Sequence, residues 1–186
     1  MNEQTIYNFN DDSGPVPAHQ HPNGGGWVAN TAKVADTAFV GPDAKVYGDA
    51  KVYGNAKVFD DAKVFGDAWV SGNAEVFDNA WVSGNAKVYG NAEVYGDAKV
   101  YGNAWVYGDA KVFDDAWVSG DAKVHGNAEV FDDARVYGDA WVSGNAKVFD
   151  NAWVSGNAKV YGNAEVFDDA RVYDPAQNPD AGLVSK

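Results

Sequence analysis

The sequence predicts an all-β fold: a three-sided, single-stranded parallel β-helix (solenoid) of about eight coils of 18 residues. Residues 26–175 divide into 25 hexads with no insertion, and 24 consecutive hexads, starting at Ala32, begin with Ala and carry Val in third place. When every third hexad is grouped, one group has a pattern that the other two lack, so the true period is three hexads. Self-similarity at a fixed period indicates a repeat architecture.

Each hexad combines a short strand with a corner. In a strand, Val points to one face and its two neighbours point to the other. The last two places are mostly Gly or Asp followed by Asn or Asp, residues that tolerate left-handed backbone and favour turns. Ala, just past the corner, is small enough to point inward. A strand and a turn every six residues fit neither a helix bundle nor a hairpin, so the strands must stack on copies of themselves, with Val and Ala as core columns.

The third of the three sides is chemically distinct. Between residues 57 and 169, Asp in fifth place occurs only in its hexads. Its second-place charges alternate in sign, with one exception, along Lys57, Glu75, Glu93, Lys111, Glu129, Lys147 and Glu165. Like charges directly opposite each other destabilise a sheet, so this alternation favours in-register stacking.

The fourth place of the third side is an aromatic column. Its members are Phe59, Phe77, Tyr95, Phe113, Phe131, Phe149 and Phe167. A long exposed apolar stripe usually marks an interaction site, so we expect a homo-oligomer or lattice contact here. The alternative is that each ring packs only on the rings above and below it.

The other two sides carry tryptophans in second place. They are Trp81, Trp117 and Trp153 on the first side and Trp69, Trp105 and Trp141 on the second. Each has Lys or Arg 18 residues before and after it, which predicts cation–π contacts between stacked coils, worth ~0.5–1 kcal/mol each at exposed sites. The Trp positions repeat every 36 residues, which suggests duplication of a two-coil unit. These tryptophans are also predicted interface residues, as part of a surface for a glycan or a protein.

Charge and composition exclude several classes of function. The net charge is −13 and the pI is about 4.4, whereas nucleic acids and anionic membranes are bound through Lys and Arg. No apolar run approaches the ~20 residues of a membrane span, and no secretory signal is seen at the N-terminus. We therefore expect neither nucleic acid nor membrane as a partner, and a cytoplasmic or virion-associated location.

The acidic corner of the third side is the strongest site-like feature. We expect weak binding of a divalent cation such as Ca²⁺, which takes oxygen ligands, and no other cofactor. The alternative is that Asp is simply a good turn residue. The predicted ligands are Asp60, Asp61, Asp114, Asp115, Asp132, Asp133, Asp168 and Asp169.

Residues 38–43, Ala-Phe-Val-Gly-Pro-Asp, resemble the hexapeptide repeat of left-handed β-helix proteins, a family that includes trimeric acyltransferases and a class of carbonic anhydrases. The Gly-Gly-Trp-Val opening at residues 25–28, followed by Ala-x-Val-Tyr-Gly-Asn hexads, more closely resembles uncharacterised repeat proteins of bacteria and their phages. The resemblance covers about four-fifths of the chain and implies a left-handed helix; the spacing alone indicates only a three-sided solenoid.

The histidines do not match the enzymes of that family. Its acyltransferases need a catalytic His, usually with a loop that leaves the coil, and its carbonic anhydrases bind zinc through three His. His125 is the only His in the repeats, and it occupies a place that from Tyr47 onward is otherwise Tyr, Phe or Ser. We therefore predict no catalytic residue and no enzyme activity. His19 and His21 form a His-x-His motif that either binds a metal or belongs to a capping segment.

These observations divide the chain into an N-terminal cap or tail (1–25), the β-helix (26–175) and a C-terminal cap or tail (176–186). Strict repetition favours a non-catalytic rod, scaffold or spacer, since an enzyme needs one singular place. The alternatives are a binding module that uses the aromatic columns and a degenerate acyltransferase. The near-perfect repetition is also compatible with an engineered chain.

Overall fold

The computed structural model describes residues 5–173, which form 27 short strands and no helix. No helix in this range could therefore cross a membrane. In chain order the strands are β1 (Ile6–Asn8), β2 (Pro15–Gln20), β3 (Trp27–Ala29), β4 (Lys33–Val34), β5 (Phe39–Val40), β6 (Lys45–Val46), β7 (Lys51–Val52), β8 (Lys57–Val58), β9 (Lys63–Val64), β10 (Trp69–Val70), β11 (Glu75–Val76), β12 (Trp81–Val82), β13 (Lys87–Gly90), β14 (Glu93–Val94), β15 (Lys99–Val100), β16 (Trp105–Gly108), β17 (Lys111–Val112), β18 (Trp117–Val118), β19 (Lys123–Gly126), β20 (Glu129–Val130), β21 (Arg135–Val136), β22 (Trp141–Val142), β23 (Lys147–Val148), β24 (Trp153–Val154), β25 (Lys159–Val160), β26 (Glu165–Val166) and β27 (Arg171–Val172).

Three sheets run the length of the solenoid, one for each side. From β3 onward every third strand belongs to the same sheet: the first side contains β3, β6 and so on to β27, the second side β4 to β25, and the third side β5 to β26. All these pairings are parallel and join residues 18 apart, as in Trp69↔Lys87 and Val70↔Val88. The predicted three-sided, 18-residue coil is confirmed.

The core consists of the inward Ala and Val columns. Between residues 38 and 154 every first-place Ala and third-place Val is 0% exposed, and together they form one continuous cluster. Each fully buried Val contributes ~1.5–3 kcal/mol before chain entropy is subtracted. Because each coil contacts only its neighbours, stability approximates a sum of nearest-neighbour terms.

The corners depend on left-handed backbone at the fifth place. From residue 44 onward this place is Gly on the first and second sides of the described chain, as at Gly102 with φ +70°, where a Cβ atom would lie 3.0 Å from the Gly120 nitrogen. On the third side it is mostly Asp, as at Asp114 with φ +54°. Only residues that tolerate positive φ fit here, which explains why Gly and Asp dominate the fifth place.

The N-terminal end is covered by non-repeat residues. β1 and β2 form an antiparallel hairpin, and β2 pairs antiparallel with β3, which extends the first side to 11 strands. The next residues cross the end of the core, where Asn23 O accepts a hydrogen bond from Val40 N and Gly26 N donates to Val40 O. The predicted C-terminal segment 176–186 lies outside the described residues.

Candidate interaction surfaces

The tryptophans of the first and second sides lie between cations of their own chain. In the part of the chain that the structure describes, Lys and Arg side chains lie over these indoles, with the charged atom 4.7–5.7 Å from the ring centroid. Five of the six predicted tryptophans have one cation from the preceding coil and one from the following coil. Trp69 has only Lys51, from the preceding coil, and Lys87 lies over Trp105. The predicted cation–π columns are therefore present.

An aromatic ring from the preceding coil also meets each of these indoles edge to face. The centroids of the two rings are 5.4–6.3 Å apart, and the interplanar angles are 61–85°. One example is Tyr101 against Trp117. Trp69, Trp81 and Trp141 still expose 38–39% of their surface. Trp81 and Trp141 have a cation from each adjacent coil, whereas Trp69 has one from the preceding coil.

The third side is held by two outward ladders. Along the predicted aromatic column the rings stack nearly parallel, with centroids 4.8–5.4 Å apart, and every ring is half-buried. Ion pairs join Lys57 to Glu75 at 2.8 Å, with further pairs from Glu93 to Lys111 and from Glu129 to Lys147, both at 3.0 Å. The one like-charged neighbour pair is Glu75 opposite Glu93. These interactions lie within one chain and do not test the predicted oligomer interface.

The predicted metal-binding carboxylates line the corner that follows the third side. Where the fifth place is Asp, the carboxylate can accept a backbone N–H from the next coil, as Asp78 does from Gly96 N at 3.1 Å. Within residues 5–173 no group of three or more His, Asp or Glu could hold a metal ion. The structure therefore aligns the eight predicted Asp residues along one edge but does not gather them into a coordination site.

The sixth-place residues of this corner border a shallow groove beside the first side. In its N-terminal half the groove encloses about 500 Å³, between Asp97 and Asp115 on one bank and Lys63, Trp81 and Lys99 on the other. Carboxylates thus face cations across the groove, and every residue that lines it belongs to the repeat.

His125 occupies the fourth place of the second side, inside an aromatic column. Its ring stacks on Tyr107 at 4.7 Å and meets Trp141 edge to face. Its Nε2 atom is buried and has no hydrogen-bond partner. Burial, and to a lesser degree the charge of Lys123, lowers the pKa of His125.

The His-x-His motif separates into two unrelated contacts. His19 Nδ1 is 2.8 Å from Asn30 Oδ1 at the surface, whereas His21 is 3% exposed and its Nε2 lies 3.0 Å from the Ala38 carbonyl oxygen. Because a carbonyl oxygen only accepts, that nitrogen carries the proton and donates. Each imidazole thus has its own polar partner at the N-terminal end, which suits a capping segment.

The hairpin creates a concavity that sequence reasoning missed. Phe9 is buried against Tyr47, with ring centroids 4.9 Å apart, and Tyr47 stacks in turn on Phe65. Beside this stack the turn of the hairpin and the first coil enclose about 480 Å³, with mainly apolar walls and Asp11 at the rim. Burial, reinforced by the charge of Asp11, raises the pKa of Tyr47 to about 12. The aromatic residues Tyr7 and Phe9, two apart before the repeats, were the available signal.

Comparison with known proteins gives one short match. A family described as the YdcK Beta solenoid repeat matches residues 128–144, which span nearly one coil. No curated protein matches the chain. The chain is thus a β-solenoid repeat protein that is similar, over nearly one coil, to the YdcK β-solenoid repeat.

Proposed function

We propose that this chain is a non-catalytic structural β-solenoid that acts as a rod, scaffold or spacer. The observation that carries the proposal is that the outward side chains of the repeats bind their counterparts in the adjacent coils. Cations lie on indoles, rings stack on rings, and Lys pairs with Glu. Side chains that make these contacts keep adjacent coils in register.

The indole contacts weigh against the glycan-binding alternative. A sugar that stacks on an aromatic platform needs an accessible ring face, whereas Trp81, Trp105 and Trp117 have a cation from each adjacent coil. Displacing a cation costs ~0.5–1 kcal/mol for each contact before the ligand gains anything. A glycan would therefore have to compete with the solenoid's own stabilising contacts.

The environment of His125 weighs against the acyltransferase alternative. A general base must reach the proton that it abstracts, but the His125 Nε2 atom is buried without a partner. The ring is stacked on Tyr107, and the nearby charge is the cation of Lys123, not an orienting carboxylate. These contacts are those expected of a ring that takes the place of one Tyr in the aromatic column of the second side.

Self-association through the third side is part of the proposal. The rings of the aromatic column are half-buried within the chain, so their outer parts remain available to a second copy. A hexapeptide-repeat, left-handed identity, a relationship to phage-encoded repeat proteins and a cytoplasmic or virion-associated location also remain proposals, since the family match covers only residues 128–144.

The test is the mass and shape of the chain in solution, by light scattering and small-angle X-ray scattering, with and without a panel of glycans. We expect an elongated particle, with a solenoid roughly 40 Å long at ~4.8 Å per coil, unchanged by any glycan. Acetyltransferase and carbonic anhydrase assays should give no turnover. A glycan complex, or turnover abolished by His125→Tyr, would overturn the structural role.

The same measurements test the third side. Replacing Phe113 and Phe131 together with Ser should shift an oligomer toward monomer. The matched control replaces Tyr101 and Tyr137, two exposed aromatic residues of the first side, together with Ser. This control should leave the mass of the particle in solution unchanged. A wild-type chain that is already monomeric at high concentration shows that the aromatic column is an intra-chain ladder only.

A further inference from the structure

The non-repeat residues at the N-terminal end build one place that the repeats do not copy. The hairpin pocket, defined by Phe9, Asp11, Val16, Pro17 and Tyr47, encloses about 480 Å³. That volume falls within the ~300–1,000 Å³ that small-molecule sites occupy. Of its lining residues, only Tyr47 and Gly48 belong to the repeats from residue 44 onward, and no residue of the aromatic column of the third side lines it, so binding there is separate from the proposed structural role.

The pocket combines an apolar wall with a single charge. Phe9 is 2% exposed and Tyr47 is 7% exposed, because their rings stack on each other, so most of the accessible apolar wall comes from neighbours such as Val16 and Pro17. Of the lining residues, Asp11 alone is charged at neutral pH. A ligand that fits these walls therefore has an apolar body and a positive group.

The carboxylate is positioned by the turn that carries it. Asp11 Oδ1 accepts hydrogen bonds from Ser13 Oγ at 2.6 Å and from Ser13 N at 3.2 Å. The hydrogen bond from the Ser13 hydroxyl is the main reason why the pKa of Asp11 is lowered, so the group stays ionised. The bonds fix one oxygen and orient the other.

We propose that the hairpin pocket binds a small organic cation, an arylalkyl ammonium compound, with its ring against the apolar wall at Val16 and Pro17 and its ammonium at Asp11. The acidic character of the chain, with a net charge of −13, favours a cationic ligand over an anionic one.

The test is an NMR titration of the full chain with 2-phenylethylamine, with phenylacetate and 2-phenylethanol as ligands of matched shape. We expect the amine to bind about threefold more tightly than the alcohol, the scale of an exposed ion pair, and the anion to bind more weakly than the alcohol. The shifts should be confined to the hairpin and the first two coils. Equal binding of the anion or the alcohol, no shifts at millimolar amine, or shifts spread along the acidic corners would overturn the proposal.

Two variants of equal charge sharpen the result. Asp11→Asn keeps an oxygen to accept from Ser13 but removes the charge, and should weaken amine binding roughly threefold, the scale of an exposed ion pair. Asp12→Asn removes a charge one residue away at a position with φ +66°, which Asn tolerates, and should change nothing. Val16→Trp, which fills the pocket, should abolish binding while β-structure is retained. Equal weakening by both Asn variants contradicts the site.

Discussion

The inner and outer columns of this solenoid follow different periods. Inside, Ala and Val repeat every six residues and are the same on all three sides. Outside, the residues repeat every 18, and the tryptophans every 36. A segment displaced by one hexad would therefore place the same Ala and Val residues in the core. It would also set Lys against Lys and break the aromatic column.

This difference separates two tasks. The core makes coil formation favourable but cannot decide which hexad belongs on which side. The outer columns make that decision, since the ion pairs, cation–π contacts and parallel ring stacks within the repeats join residues 18 apart. Individually each is worth less than a buried Val, so their role is to select the register more than to supply stability.

The largest effect of a single substitution should come from the core. On β17, Val112→Ala removes buried methyl groups and leaves a cavity, which should lower the free energy of unfolding by about 2–3 kcal/mol. The neighbouring Lys111→Ala, which removes only an exposed ion pair with Glu93, should cost less than about 1 kcal/mol. Urea denaturation of both variants measures the difference. Similar costs would contradict the division between inner and outer columns.

An intermediate effect should come from a cation shared by two indoles. The Arg135 guanidinium lies 5.1 Å from Trp117 and 5.2 Å from Trp153, so Arg135→Gln should cost about 1–2 kcal/mol. Lys51→Gln, which removes one cation at 5.7 Å from its indole, is the matched control and should cost less than half as much. Thermal melts give the comparison; equal losses of stability would mean that the cations add nothing beyond packing.

The smallest effect should come from repairing the one irregular ring in the outer columns. His125→Tyr removes the unpartnered Nε2 and restores the commonest residue at that place, so stability should stay the same or rise by about 1 kcal/mol. Because the pKa of His125 is lowered in the folded chain, its neutral form is favoured there. The stability that depends on a neutral His125 is therefore fully present above about pH 6.5, the ordinary pKa of His. It is lost as the pH falls through the lower pKa of His125 in the folded chain.

Wild type should therefore lose more stability than His125→Tyr between pH 7.5 and 5. His19 and His21 are present in both proteins, so their titration cancels in the difference. Parallel pH profiles of the two proteins would mean that the titration of His125 has no net effect on stability.

The features of the structure that recur from coil to coil could be predicted from the sequence. Three sides, the 18-residue coil, the Val and Ala core and the cations beside each Trp all follow from period and residue type. The N-terminal cap could not be predicted in detail, because each of its contacts occurs once. The antiparallel pairing of β2 with β3, the His21 contact with Ala38 and the Phe9–Tyr47 stack join residues that no period relates.

The acidic corner shows a second limit. Spacing correctly placed Asp60, Asp114 and Asp132 along one edge, but their φ values of +53° to +54° indicate a turn requirement. Whether three oxygens converge on one point depends on side-chain directions that spacing does not determine. Within the described residues they do not converge.

The most direct test of register selection compares two internal excisions. Removing residues 104–139 takes out two whole coils and keeps every column in phase. Trp141 is then stacked on Lys87 of the preceding coil, and Lys147 on Glu93. Removing residues 104–133 leaves the Ala-x-Val core equally intact and retains one more hexad, but moves every later column by one side. Arg135 is then stacked on Lys87 of the preceding coil, and Lys147 on Lys99, so that like charges are opposite each other.

We predict that the 36-residue excision folds as a regular solenoid that is less stable than wild type only by the nearest-neighbour terms of two coils. The comparison that tests the register is between the two excisions. The 30-residue excision should be less stable by about 2–4 kcal/mol, because the ion pairs, cation–π pairs and ring stacks that cross the junction can no longer form. If the 30-residue excision is as stable as the 36-residue excision or more so, the core alone sets the register and the outer columns do not.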